Sequence, residues 1–73
     1  MVELSLLTLL NTVAADFCTH RAQGRDVIKA ALIAYSNAND KYGGSSVRKV
    51  ITESPGIEAA AIAVVVSKCP DKL

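Results

Sequence analysis

Four residues of this 73-residue chain carry side chains that could do chemistry together: Asp16, Cys18, His20 and Cys69. Two thiolates, an imidazole and a carboxylate form a donor set that zinc accepts. A thiol beside an imidazole is also the pair that an activated cysteine nucleophile needs. The spacing argues against both. Asp16, Cys18 and His20 alternate, and on a helix residues two apart point about 200° from each other. They cannot converge on one ion or one reacting atom. No metal ligand, cofactor or catalytic residue is assigned. His20 reads instead as a helix C-terminal residue near the last carbonyls and the negative end of the dipole.

The two cysteines have a simpler use. A domain this short buries only about 60% of its unfolded surface, and such chains usually need a staple, a metal or a partner. An even cysteine count in a small chain suggests a disulfide between Cys18 and Cys69. Two buried free thiols in a cytosolic protein are the other reading, because cysteine is among the most buried residue types. If the pair is bridged, the helices that carry it must finish at the same end and run roughly parallel.

Other motifs resolve to structure. Gly43-Gly44-Ser45-Ser46 has no following Gly-Lys-Thr and no preceding strand, so it is a turn and not a phosphate loop. Arg48-Lys49 follows a Gly-Gly turn, as in a DNA-binding helix pair, but the preceding helix is too long and the formal net charge only +1. Nothing asks for nucleic acid as a partner. The longest apolar run, Ala59 to Val66, falls far short of the ~20 residues a membrane span needs. Met1 to Leu10 is Leu-rich, but it carries Glu3, no basic flank and no cleavage site. It does not read as a signal peptide, and a processed, exported domain stays compatible with it.

The elements that must position these residues are all helical. Apolar residues make up 51% of the chain, which excludes disorder. Phe17, Tyr35 and Tyr42 are the only aromatics, so the core is aliphatic and alanine-rich. Helix one is expected over Glu3–His20, with Leu6, Leu7, Leu10, Val13, Ala14, Phe17 and Cys18 on its core face. Leu4 and Leu9 lie off that stripe, partly exposed. Gly24 ends the segment.

Asp26 caps helix two, which runs to Tyr42 and antiparallel to helix one. Val27, Ala31, Ala34 and Ala38 form its small-residue stripe, with Ile28, Leu32, Tyr35 and Tyr42 beside it. Ile33 falls among the water-facing residues. Ser45 or Ser46 caps a short third helix, Val47–Glu53, lying across the end. Ser54-Pro55 starts helix four, which extends to Cys69 and stops at Pro70. That helix is apolar on every side, which predicts the buried central element.

The order of parts resembles a known family. A cysteine near the end of a Leu-rich helix is followed by Gly24-Arg25-Asp26-Val27, a long middle, and an Ala/Val helix ending Cys69-Pro70. This resembles small secreted actinobacterial domains of unknown function, across about residues 14 to 70. The resemblance implies an all-helical bundle closed by one disulfide and an exported protein. It supplies no activity. Ser67-Lys68 stand where an aromatic more often precedes the Cys-Pro.

The expected fold is therefore all-α. It is one domain over residues 1–73, a four-helix array of three long helices and one short, closed by Cys18–Cys69. The expected function is that of a small exported, non-catalytic binding module. Its partner would be a protein or a small apolar ligand, met around Leu9, Ile33, Tyr42, Gly43 and Gly44. Secretion or the periplasmic or cell-envelope space is the matching location. The alternative is a cytosolic protein with reduced thiols, self-associating, as a homodimer for instance, through the apolar surface of helices one and four.

Overall fold

The computed structural model describes residues 3–72; Met1, Val2 and Leu73, which the expected domain also includes, lie outside the described residues. Helices take up 81% of these residues, and no strand occurs among them. Helix α1 spans Leu6–Ala22, α2 spans Val27–Tyr42, α3 spans Gly44–Thr52 and α4 spans Ile57–Lys68, followed by a 3-10 turn at Pro70–Lys72. The Cα radius of gyration is 11.8 Å, against about 11 Å for a compact chain of this length.

Local chemistry sets the first two helices. The Ser5 hydroxyl accepts from the Thr8 amide at 3.1 Å, and the Asp26 carboxylate accepts from the Lys29 amide at 2.8 Å. Each satisfies one of the amides a helix start leaves unpaired. Gly24, at φ +93°, lets the chain turn back, with its amide donating to the Arg21 carbonyl at 3.0 Å. At φ +89°, Gly43 ends α2 by donating to the Asn39 carbonyl at 2.8 Å. A left-handed φ of this kind suits glycine and few other residues.

Helices α1 and α2 are antiparallel. Thr12 meets Tyr42 and Asp16 meets Asn37, so the numbers rise along one helix as they fall along the other. Cys18 and Cys69 are bridged, with Cα atoms 5.9 Å apart, inside the usual disulfide range. Helices α1 and α4 therefore finish at the same end, as the bridged reading of the sequence requires. The Arg21 Nε–H also donates to the Lys72 carbonyl at 2.6 Å there. Helix α3 is turned 106° from α4 and crosses the opposite end.

Two core clusters result. The first joins Ala14, Phe17, Ala30, Ala34, Val65 and Cys69. The second joins Leu9, Ala38, Val47 and Val50, with Leu4, Val13, Tyr42 and Ile51 packed against it. The fully buried alanines Ala30, Ala34 and Ala38 let the backbone of α2 approach its neighbours closely.

Several sequence expectations are corrected here. The central element is α1, which touches α2, α4 and the 3-10 turn. Helix α4 buries only Val65 along its length, while Ile62 and Val66 are exposed. The chain has too few elements to surround it, because α3 packs on α2 instead. Leu9, expected near the surface, is 2% exposed: a central helix buries a wide arc, and α3 covers that side. Leu7 is exposed for the same reason, outside the arc.

Helix α3 begins at Gly44 with no side-chain cap, not at a serine cap. Helix α4 begins at Ile57 after Gly56, at φ +78°. Ser54 and Pro55 lie in the turn before it, with the Ile57 amide donating to the Ser54 carbonyl at 3.2 Å.

Candidate functional site

The residues that suggested chemistry at first sight are separated. Cys18 is tied to Cys69. The Asp16 carboxylate accepts from the Asn37 side-chain amide at 3.1 Å. His20 sits in the last turn of α1, its carbonyl accepting from the Gln23 and Arg25 amides. Its Nδ1 is buried without a partner. No group of three metal-binding side chains occurs among the described residues.

The expected binding surface also divides. Leu9 is core and cannot contact a partner. Ile33 is half-buried, not free on the water-facing side. Tyr42 is half-buried too, its hydroxyl 2.7 Å from that of Thr12 and its ring 5.4 Å from the Lys41 ammonium. Gly43 and Gly44 are exposed, with open space around Gly43. These residues do not converge on one cleft. A cleft of about 450 Å³ lies elsewhere, between Glu3–Leu6 and α3, lined by Leu4, Lys49, Val50 and Glu53. Across its mouth Lys49 and Glu3 form an exposed ion pair at 3.7 Å, of the kind that contributes about 0–1 kcal/mol.

The outer face of α2 is the surface sequence reasoning missed. Ile28 is 73% exposed, Leu32 64% and Tyr35 44%, with Val27 beside them. These residues were expected to flank the core stripe. The helix is rolled so that Ala30, Ala34 and Ala38 face α1 and the cores, and the large apolar side chains stand in solvent. The signal was in the spacing. Ile28, Leu32, Tyr35, Asn39 and Tyr42 follow one another at four, three, four and three residues, the alternation that places side chains along one seam of a helix.

Among the described residues no single helix is long and apolar enough to cross a membrane. No protein-family model, curated protein or solved structure matches the chain.

Proposed function

We propose that this chain is a small, exported, non-catalytic binding module that engages its partner through the outer face of α2. The observation that carries this reading is the exposure of Ile28, Leu32 and Tyr35 on one helix. A folded domain of this size leaves such a row in water at a cost, since each buried aliphatic side chain is worth about 1.5–3 kcal/mol. Contiguous exposed apolar patches mark interaction sites. Export is supported by the Cys18–Cys69 bridge, because disulfides persist in oxidising compartments, and by the resemblance to secreted domains.

Two measurements test the proposal. Intact mass after alkylation without reductant is expected to show no modified thiol in protein taken from its native compartment. Immediate labelling of both cysteines would remove the argument for export. The apolar dye ANS is expected to bind the wild type, and Leu32→Asp to abolish most of that signal while the far-ultraviolet spectrum stays helical. An unchanged dye signal in the variant would place binding elsewhere.

A further inference from the structure

Resting on the proposed binding role of this face, we infer that its partner is a second copy of the chain, docked α2 against α2 in antiparallel orientation. Ile28, Leu32 and Tyr35 stand exposed along the helix and half-buried Asn39 continues their four-three alternation, while Tyr42, next in the spacing, is held against α1 through Thr12. In an antiparallel pair centred between Leu32 and Tyr35, Leu32 of one copy meets Tyr35 of the second copy. Ile28 then meets Asn39 of the second copy. Both contacts occur twice by symmetry, as an isologous interface requires.

The charges beside the seam fit the same register. Lys29 and Asp40 lie on one edge of the face, near opposite ends of α2, both exposed. Neither takes part in an ion pair among the described residues. In the antiparallel pair, Lys29 falls within one turn of Asp40 of the second copy, and the reverse contact follows from the two-fold axis. A parallel pair would place this edge of the two copies on opposite sides of the seam, where the Lys29–Asp40 contact cannot form. Self-complementary charge thus selects both the occupant and the direction. The seam is only one helix long, about 24 Å for 16 residues, so the interface belongs to the small, reversible class.

Sedimentation of the disulfide-closed protein from about 10 µM to about 1 mM, the range in which small interfaces associate, tests this. The wild type is expected to shift reversibly from monomer to dimer. Ile28→Asp/Leu32→Asp should raise the dissociation constant at least about tenfold. Lys29→Asp and Asp40→Lys should each weaken association about threefold or more. The double reversal should restore it to within about twofold. Both reversals agree with the helix dipole, so the monomer is expected to keep its fold, which circular dichroism checks. A wild type still monomeric at the top of the range overturns the inference. So does a dimer indifferent to the seam variants, or one that the double reversal fails to restore. A monomer whose dye binding is still lost in Leu32→Asp overturns self-pairing and leaves the binding-module reading standing.

Discussion

At the scale of single residues, the molecule depends on small side chains and one half-buried hydroxyl pair. Ala34 of α2 has no exposed surface and belongs to the first core with Phe17 of α1 and Val65 of α4. Nothing larger fits without moving a helix. Ala34→Leu should cost about 1–3 kcal/mol through overpacking, read as a lower urea midpoint with an unchanged slope. A variant as stable as the wild type would mean the first core is looser than its burial indicates. The Thr12–Tyr42 hydroxyl contact at 2.7 Å ties α1 to the end of α2 in a half-buried place. Tyr42→Phe and Thr12→Val should each cost about 0.5–1.5 kcal/mol. Because the two hydroxyls partner each other, the double variant should cost clearly less than the sum of the singles. Additive losses would show that each hydroxyl is satisfied independently, by water for example.

At the scale of elements, what holds each helix in place is a cap, a glycine or a neighbour, and these differ in how openly the sequence displays them. Asp26→Ala removes the acceptor for the Lys29 amide and should cost about 1 kcal/mol, measured by thermal unfolding. A change of a few tenths would mean water replaces the cap fully. The turn after α1 and both ends of α2 were legible because Gly24 and Gly43 act through their own backbone geometry and Asp26 through its carboxylate; the Ser5 cap was not, since helix one was expected from Glu3 and begins at Leu6. The start of α4 was not. Ser54-Pro55 is a strong local signal, but Gly56 takes the left-handed conformation, and the helix begins only after it. The roll of α1 and α4 was hidden for another reason. Both carry apolar residues on many sides, so periodicity distinguishes no inner face. Which side is buried depends on where α3 and the disulfide pull their neighbours. Leu9 and Ile62 exchanged their expected places by this means. The α2 seam was in plain view as a spacing, yet the alanine stripe beside it competed for the role of core face. The alanines won because they allow the closer approach.

At the scale of the whole molecule, the disulfide decides whether α4 belongs to the fold at all. Between Ile57 and Lys68 this helix buries only Val65, and its far end is fixed by Cys69 and by the Arg21–Lys72 hydrogen bond. The second core, by contrast, draws Leu9 from α1, Ala38 from α2, and Val47 and Val50 from α3, with nothing from α4. The bridge spans a separation of 51 residues, and closing such a loop is worth about 4 kcal/mol on the chain-entropy estimate. A chain of this length has a total stability of about 4–11 kcal/mol, so the bridge supplies a large share of it. Reduction by a dithiol, or Cys18→Ala/Cys69→Ala, should therefore act unevenly. Amides of α4 are expected to lose hydrogen-exchange protection first, and those of α1 facing the first core next. The α2–α3 corner around Val47 should hold longest, since its contacts do not pass through the bridge. Helical signal should fall by about the share that α4 contributes before global unfolding begins. If the reduced protein instead keeps α4 protected to the same degree as α2, then Val65 and its half-buried neighbours Ile57, Ala61 and Val64 hold that helix unaided, and the bridge only limits the unfolded chain.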